Sequence, residues 1–465
     1  MYRNRYTSVC IDTFFQRRHV KMFWNSFGIT IHLTKSFINV IEGRDIFIRY
    51  NLIMGRWITI LSSDTVSLSD IVLAPSNSLV QLAKDASVHP EFTPTFNKLT
   101  TNGDGFGIGW YYDTDNGTDN PHHDPDPRVS SAIFKDTLPA WNDVNLREIC
   151  MATRSNCVMA HVRSASDGME VTHANCHPFK CGRLLFCHNG RIHKYSKIKR
   201  RLIHQVSEEM YSIIRGTTDS ECIFGLILTQ LAKDGSGGSP RTQTKAFGHM
   251  RLVSAIKKTL CQIDCLLRQA GILEGHSTFN FSLADGDTVV ATRFCDKSPD
   301  SPPPSLYFSY GTAEHLYREL TSEDPVLYGQ QIYNGEDESD EKGGSAESDS
   351  SSTASSSTSS NNTQNSYNVE GTSVKRIHLH EDRKGLTDAH FLETTVDLGN
   401  LLSLPGTSYA NVEPLAASFV VASNPLTKTH TWHAMPKNSV MWCTRGFPPE
   451  LRLLVQNGRR QESSM

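Results

Sequence analysis

The chain has 465 residues, of which 46 are Lys or Arg and 49 are Asp or Glu, so its formal net charge is -3. This balance predicts neither a nucleic-acid partner nor attraction to an anionic membrane, and no apolar run reaches the roughly 18 residues that a membrane span needs. The eleven cysteines include no CxxC pair, which argues against a disulfide framework or a zinc site and favours a reducing, cytoplasmic compartment.

Residues 1–53 have a composition of their own. Their first part, MYRNRYTSVCIDTFFQRRHVKMF, is rich in Arg and almost free of acidic residues. Such a composition is typical of a mitochondrial transit peptide, but the stretch is poor in Ser and rich in Phe and Tyr. A leader without a folded role is the alternative, and a mitochondrial location would apply only if this extension is genuine.

After residue 53, the sequence pattern predicts several short strands that end in polar residues. Residues 57–60 alternate as a strand, and a loop with a short helix follows up to residue 86. The stretch NGDGFGIGWYYD at 102–113 predicts a tight turn into a glycine-rich strand. Two further strands, at 157–166 and 183–192, are apolar and deliver polar side chains at their ends.

Helices are predicted next, followed by more strands. Four apolar residues recur at every fourth position and predict one helix that Gly216 ends: Ile198, Leu202, Val206 and Met210. Thr218 and Glu221 have the spacing of a capping box, and a third helix is predicted over roughly 250–270, ending at Gly271. A hairpin turns at Asp285-Gly286. Strands, then helices, then strands indicate a layered α+β domain.

Three polar clusters stand at predicted strand ends: HVRSAS at 161–166, NCHPF at 175–179 and HNG at 188–190. Together with MGRW at 54–57 and Asp219, they resemble the glutaminase domain of class II glutamine amidotransferases. Within that family the resemblance is strongest to the stand-alone branch that includes the amidotransferase-like subunit of the fungal glutathione-degrading complex. It covers about 54–330 and resumes over about 375–443.

The resemblance implies a fold, a domain plan and a mechanism. The fold would be a four-layer αββα N-terminal-nucleophile hydrolase sandwich. Five segments are expected: an unmatched extension (1–53), a glutamine amidotransferase type 2 domain (54–333), a disordered acidic and Ser-rich insertion (334–373), C-terminal strands that complete the domain (374–445), and a tail (446–465). The mechanism needs an amino-terminal Cys whose α-amine acts as its base, and such acyl transfer needs no metal or organic cofactor.

The resemblance also assigns roles to residues of this chain. Asn189 and the Gly190 N–H would face the oxyanion. Arg163 would bind the substrate α-carboxylate, Asp219 would bind its α-ammonium group, Ser166 would help hold the glutamyl group, and His177 would lie beside the pocket. Taken singly, Asp219 suits the first turn of a helix and Asn189-Gly190 suits an ordinary turn. The order and spacing of all these residues together favour a glutamyl-binding site over these ordinary roles.

Histidine pairs are the remaining candidates for metal ligands: His122/His123, His378/His380 and His430/His433. No pair has a Cys or carboxylate at a useful spacing, so we expect surface or loop positions and no metal.

Gly55 is the departure from the family pattern, because it occupies the position of the nucleophilic Cys. Glycine has neither thiol nor hydroxyl, and the preceding residues leave no free α-amine at this position. Cys176 and Cys187 lie within pocket motifs but lack the α-amine, so we expect neither to replace it. Either Gly55 reflects an altered or misassigned translation with Met54 as the true start, or the chain is a pseudoenzyme.

The sequence therefore predicts a hydrolase of γ-glutamyl amide bonds, with glutathione or glutamine as substrate, whose chain as written lacks the nucleophile. The alternative is a catalytically dead protein that acts as a glutamyl-binding or regulatory subunit. The family resemblance further implies a metallopeptidase partner that processes the dipeptide product. No nucleic-acid or membrane partner is expected.

Overall fold

The computed structural model describes residues 55–85, 101–114, 129–165, 169–235, 238–296, 303–312, 391–396, 398, 417–427 and 432–456. The predicted extension at 1–53, the predicted insertion at 334–373 and Ser166 lie outside these residues. So do His122, His123, His378, His380 and His430.

Fourteen strands are found in the described part of the chain. They are β1 (Arg56–Ser67), β2 (Phe106–Asp113), β3 (Val129–Asp136), β4 (Arg154–Val162), β5 (Phe179–Cys181), β6 (Leu184–Arg191), β7 (Thr278–Ala284), β8 (Thr288–Cys295), β9 (Tyr307–Thr312), β10 (Phe391–Val396), β11 (Ala417–Ala422), β12 (His433–Ala434), β13 (Ser439–Thr444) and β14 (Glu450–Gln456).

The helices fall into two groups. Three short ones come early in the chain: α1 (Leu68–Val72), α2 (Leu79–Lys84) and α3 (Val144–Ala152). Four follow β6: α4 (Tyr195–Ile203), α5 (Glu208–Tyr211), α6 (Asp219–Lys233) and α7 (His249–Gln269). Single 3-10 turns occupy Ala140–Asn142 and His173–Asn175.

The strands form two seven-stranded sheets, and every pairing between described strands is antiparallel. The first sheet has the order β12-β9-β11-β1-β4-β2-β3, and the second has the order β10-β14-β13-β8-β7-β6-β5. Strands from the two ends of the described chain are neighbours in the first sheet. For example, β1 lies between β11 and β4.

Three hydrophobic clusters separate four layers. One packs α1–α3 on the outer face of the first sheet and includes Ile58, Leu68 and Leu146. A second fills the space between the sheets and includes Trp57, Met159 and Cys187. The third packs α4–α7 on the second sheet and includes Phe186, Ile198 and Ile227. The protein is therefore an α+β sandwich with αββα layers, as predicted.

Alternation along the strands decides which side chains reach the space between the sheets, because successive strand residues face opposite sides. On β1, Ile58 packs towards the helices and Trp57 packs between the sheets. On β6, Leu185 and Cys187 face between the sheets, whereas Phe186 faces the helices. The odd-numbered residues that follow, Asn189 on β6 and His161 on β4, therefore belong to the inter-sheet side.

The structure corrects three sequence predictions. The helix predicted from residue 198 to 216 is two helices, α4 and α5, because the chain turns after Ile203 and the Ser207 N–H donates to Thr229 Oγ1 at 3.0 Å. The segment predicted as a tail contains β14, which pairs with β10 and β13. His433, expected at the surface or in a loop, is buried on β12 against Phe308.

Two local predictions are confirmed. The hairpin at Asp285-Gly286 joins β7 to β8, and α7 ends two residues before Gly271, whose φ of 71° is the left-handed conformation that favours glycine. Within the described part of the chain, none of the helices combines the length and the apolar character that crossing a membrane would require.

Candidate active site

Gly55 lies immediately before β1, at the end of the sandwich where β4 ends. Antiparallel pairing places Arg56 opposite Val162, and Gly55 itself is buried. A Cβ added at Gly55 would lie 2.7 Å from the Val162 carbonyl oxygen and 3.0 Å from His161 Cε1. The described backbone therefore fits glycine, and any larger residue requires the start of the strand to shift by a few tenths of an ångström.

The two residues after Gly55 are held by a distant segment of the chain. Arg56 Nη1 donates to Asn424 Oδ1 at 3.1 Å, across 368 positions of sequence. The Trp57 N–H donates to Ser423 Oγ at 3.1 Å, and the Ser423 N–H donates to the Trp57 carbonyl at 3.0 Å. The residues just after β11 thus fix the start of β1, directly after Gly55.

Arg163 follows the last residue of β4, and its backbone is anchored by the NGDGFG turn. Its N–H donates to the Gly105 carbonyl at 2.8 Å, and the Ala165 N–H donates to Asp104 Oδ2 at 2.8 Å. The guanidinium is buried, with Nη2 donating to the Glu170 carbonyl at 3.0 Å. Nη1 is buried without a hydrogen-bond partner among the described residues, so its N–H groups can donate to a ligand oxygen atom.

Asn189 is brought towards Gly55 by its neighbour on β7. Asn189 pairs with Asn280, and the Asn280 carbonyl accepts a hydrogen bond from Trp57 Nε1 at 3.3 Å. Asn189 is buried, and its Oδ1 has no hydrogen-bond partner in the part of the chain that the structure describes. A buried amide with an unmet acceptor is costly, which is common where a ligand or water completes the site.

Gly190 is in a place where only glycine fits. A Cβ there would lie 2.0 Å from the Thr278 carbonyl oxygen and 2.4 Å from His188 Nε2. Those two atoms are themselves joined by a hydrogen bond of 3.0 Å. The missing side chain of Gly190 therefore lets His188 reach across to β7.

Asp219 links the first turn of α6 to the end of β6. Its Oδ2 accepts from the Ile192 N–H at 2.7 Å, and its Oδ1 accepts from the Ser220 N–H at 2.9 Å. Thr218 caps the helix by accepting from the Glu221 N–H at 3.2 Å, as predicted. The Glu221 carboxylate instead accepts from the Arg215 and Gly216 N–H groups, so it holds the preceding loop rather than the cap.

Three buried histidines belong to the predicted pocket motifs, and His161 is the one whose ring lies against Gly55. The rings of His161 and His177 are tilted by 41° with centroids 4.3 Å apart, and both nitrogens of His177 lack a partner among the described residues. Burial lowers the pKa of His161 to about 3, with nearby Arg163 and His188 adding to the effect. Burial also lowers the pKa values of His177 and His188. The cluster is therefore neutral at physiological pH.

This neutrality predicts a pH dependence of stability. Because the folded-state pKa of His161 lies below its ordinary value of 6.5, the unfolded chain takes up the proton first, and stability falls as pH drops below 6.5. Between pH 7.5 and 5.5, His161 alone should remove about 1.4 kcal/mol from the free energy of unfolding. In urea unfolding, His161→Gln should therefore show a smaller loss over this range by about that amount. The exposed His204 is the control, and an equal change in both variants would refute the assignment.

The two cysteines within the pocket motifs are poor nucleophiles. Burial raises the pKa of the Cys176 thiol, and it raises that of the Cys187 thiol well above the ordinary value. Because only the thiolate attacks a carbonyl, burial disfavours attack by either side chain.

Two residues without a role predicted from the sequence bind the backbone near Arg163 and near Asp219. Asp104 binds the backbone after Arg163, and Asn175 connects the loop after β4 to the loop before α6. The motif NCHPF drew attention to Asn175, but a motif does not reveal which distant backbone its side chain meets.

Comparison with known proteins identifies the family. The sequence model of the class-II glutamine amidotransferases matches residues 86–298. The probable glutamine amidotransferase DUG3 of Saccharomyces cerevisiae is 34% identical over 264 residues, which are 56% of this chain and 69% of the yeast protein. The chain belongs to the class II glutamine amidotransferases. In this amidotransferase, Gly55 precedes the matched range, whereas Arg163, Asn189 and Asp219 lie within it.

Two further similarities concern other members. The gamma-glutamyl-hercynylcysteine sulfoxide hydrolase of Mycolicibacterium smegmatis is 30% identical to this amidotransferase over 231 residues, which are 50% of this chain and 75% of that protein. A solved structure of a glutamine aminotransferase class-II domain protein from Silicibacter pomeroyi covers 54% of this chain and 82% of its own, at 21% identity and a TM-score of 0.33.

Proposed function

We propose that this amidotransferase binds the γ-glutamyl group of glutathione or glutamine, and that its scaffold is that of a γ-glutamyl amide hydrolase. The observation that carries the proposal is the convergence of β1, β4, β6 and α6 at one end of the sandwich. There the position of Gly55 meets His161, Arg163 follows β4, and Asp219 binds the backbone just after Gly190. Membership of the family and the hydrolase from Mycolicibacterium smegmatis support the same substrate class.

The charges available suit an amino-acid end of a ligand. The Arg163 guanidinium offers its buried Nη1 to an α-carboxylate, and a guanidinium matches a carboxylate in geometry as well as charge. Asp219 already accepts two backbone hydrogen bonds and one from the Ser220 hydroxyl, and Oδ2 retains a lone pair for an α-ammonium group. Ser166 would add a hydroxyl next to the same group, and His177 would form an uncharged wall.

With a Cys at position 55, the reaction follows from these groups. The thiolate attacks the γ-carbonyl, and the α-amine of the same residue takes the thiol proton and then passes it to the departing amine. The Asn189 side chain and the Gly190 N–H would donate to the oxyanion, each contributing about 2.7–4 kcal/mol to the transition state. Water then cleaves the thioester and releases glutamate.

With Gly55 at this position, that attack has no nucleophile. We therefore propose that the chain as sequenced binds its ligand without hydrolysing it. The same property would make it a glutamyl-binding or regulatory subunit, which is the second candidate function and rests on Gly55 alone. An altered residue at position 55 and a genuine pseudoenzyme remain the two accounts of how this arose.

Substrate and partner are part of the proposal. Hydrolysis of glutathione releases glutamate and the dipeptide cysteinylglycine, so a peptidase that consumes a dipeptide would complete the degradation. Hydrolysis of glutamine releases ammonia, which water protonates, and leaves no peptide product for a partner to process. We favour glutathione with a metallopeptidase partner on this chemistry.

Calorimetric titration tests the pocket directly. The chain as sequenced should bind glutathione and L-glutamine and release no glutamate. Arg163→Ala should weaken both affinities about 10- to 100-fold, because a hydrogen-bonded charge contributes about 1.5–3 kcal/mol.

The matched control is Arg154→Ala, at the other end of β4. Arg154 is exposed and its Nη2 donates to the Thr65 carbonyl, so this change should leave binding intact. Equal affinities for the Arg163→Ala and Arg154→Ala variants would contradict the proposal that Arg163 binds the α-carboxylate. Glutamate release by the unaltered chain above that of the Arg163→Ala variant would contradict its inactivity.

A further inference from the structure

Asn175 is buried between the two ends of the proposed glutamyl site, and it belongs to neither. It closes the 3-10 turn His173–Asn175, and its side chain is only 1% exposed. A buried amide can make up to four hydrogen bonds, so its partners identify what it holds.

One set of contacts reaches the Arg163 side. Asn175 Nδ2 donates to the Glu170 carbonyl at 3.1 Å, and Arg163 Nη2 donates to the same carbonyl at 3.0 Å. A single backbone oxygen therefore sets the position of the guanidinium relative to Asn175.

The other set reaches the Asp219 side. The Thr217 N–H donates to Asn175 Oδ1 at 2.9 Å, and Asn175 Nδ2 lies 3.2 Å from Thr217 Oγ1. Thr217 directly precedes the cap of α6, and Asp219 is the first residue of that helix. Asn175 thus fixes the approach of α6 to the loop after β4.

Gly216 makes this contact possible. A Cβ added there would lie 2.4 Å from Asn175 Oδ1 and 3.1 Å from the Ala174 carbonyl. Any side chain at position 216 would push the loop away from Asn175 and from the Glu221 carboxylate, whose Oε2 lies 2.8 Å from the added Cβ, while leaving the Asn175 residue in place.

From these contacts we infer that Asn175 is a positioning residue that sets the spacing between Arg163 and Asp219, and so couples recognition of the ligand α-carboxylate to recognition of its α-ammonium group. The inference rests on the proposed function. Asn175 acts through Arg163 and Asp219 and does not itself contact the ligand. Loss of Asn175 should therefore weaken this coupling: the α-carboxylate and the α-ammonium group of a ligand should each add less to its affinity when the other is bound.

The test compares three ligands in titrations of the full chain. L-Glutamine carries both groups, 4-carbamoylbutanoate lacks the ammonium, and 4-aminobutanamide lacks the carboxylate. For each protein, the ratio of the analogue Kd to the glutamine Kd measures how much the absent group contributes. In Asn175→Ala both ratios should fall at least about threefold, as expected when hydrogen bonds of about 0.5–1.5 kcal/mol are lost.

Two variants separate the contact of Asn175 with the Glu170 carbonyl from its contact with Thr217. Asn175→Asp keeps an acceptor for the Thr217 N–H but loses the donor to Glu170, so it should lower chiefly the ratio for 4-aminobutanamide. Gly216→Ala should lower both ratios with Asn175 intact. Asn77→Ala is the control, because its Nδ2 also donates to a backbone carbonyl, that of Pro425, outside the site.

The outcomes are distinguishable. Lower ratios in Asn175→Ala and Gly216→Ala but not in Asn77→Ala support the inference. Unchanged ratios with a lower melting temperature would mean that Asn175 is merely structural, and the inference would be overturned while the proposed function stands. Absence of glutamine binding by the unaltered chain would overturn both.

Discussion

A chain that begins at Met54, loses that Met and carries Gly55→Cys is expected to hydrolyse glutathione or L-glutamine at least about 10³-fold faster than the chain as sequenced. The size follows from the nucleophile, because removing the attacking residue of a hydrolase commonly costs more than this factor. Such a protein would present a thiol and a free α-amine together, which acyl transfer of this type requires. Glutamate release measured over time gives the rate.

Gly55→Cys requires a local rearrangement of the backbone. The added Cβ approaches the Val162 carbonyl at 2.7 Å, so the start of β1 must shift. Residue 55 precedes the first pair of the strand, Arg56 with Val162, and a strand end can move without breaking the ladder.

Two matched variants separate chemistry from packing. Gly55→Ala with the same start adds the Cβ without the thiol and should remain inactive. Gly55→Cys in the full chain has the thiol but no free α-amine, and should also remain inactive. Hydrolysis by either variant at the rate of the first protein would contradict the mechanism.

The second large effect is expected from Gly190→Ala, which should lower the free energy of unfolding by about 3 kcal/mol or more. Its Cβ would lie 2.0 Å from the Thr278 carbonyl and would displace the His188 hydrogen bond to that oxygen. Overpacking costs about 1–3 kcal/mol, and a buried imidazole left without its partner adds about 1–3 kcal/mol. Urea unfolding measures the change.

The control for Gly190→Ala is Gly225→Ala on α6. Its Cβ would meet the flexible end of Ile214 at 3.0 Å, and alanine favours a helix interior over glycine by about 1 kcal/mol. This variant should therefore stay within about 1 kcal/mol of the unaltered chain. A similar loss in both variants would mean that the crowding at Gly190 has no special effect.

Much of the fold could be predicted from local patterns. Alternating apolar residues identified β1, β4, β6 and the β7–β8 hairpin, because the period of two is set by the strand itself. The cap at Thr218 and the end at Gly271 were also readable, since both depend on neighbouring residues. The break between α4 and α5 was not, because the Ser207 N–H bonds to Thr229 on another helix.

The site divides in the same way. Sequence motifs named Arg163, Asn189, Gly190 and Asp219 as candidates, and these residues lie near the end of β4, near the end of β6 and at the start of α6. The partners that hold them could not be named. Asn424 bonds to Arg56 across 368 positions, and Asn175 bonds to Thr217 across 42. Side-chain contacts across such distances in sequence leave no periodic signal.

The tightness at Gly55 was also beyond sequence reasoning. The motif shows that a Cys is absent, but only the structure shows that the Val162 carbonyl and the His161 ring occupy the space around the missing side chain. Residue 55 therefore has no nucleophilic group, and a Cβ at this position fits only if the start of β1 shifts.

Covalent labelling followed by mass spectrometry tests the central claim most directly, namely that position 55 lies against the γ-carbonyl of a ligand held by Arg163. The protein is the Gly55→Cys chain that begins at Met54 and loses that Met. The reagent is an L-glutamine analogue with a carbon electrophile in place of the amide. We predict one adduct, in the peptide that contains position 55, and its loss in the additional Arg163→Ala variant. An adduct on Cys176 or Cys187 instead, or labelling at position 55 that does not depend on Arg163, would contradict the account.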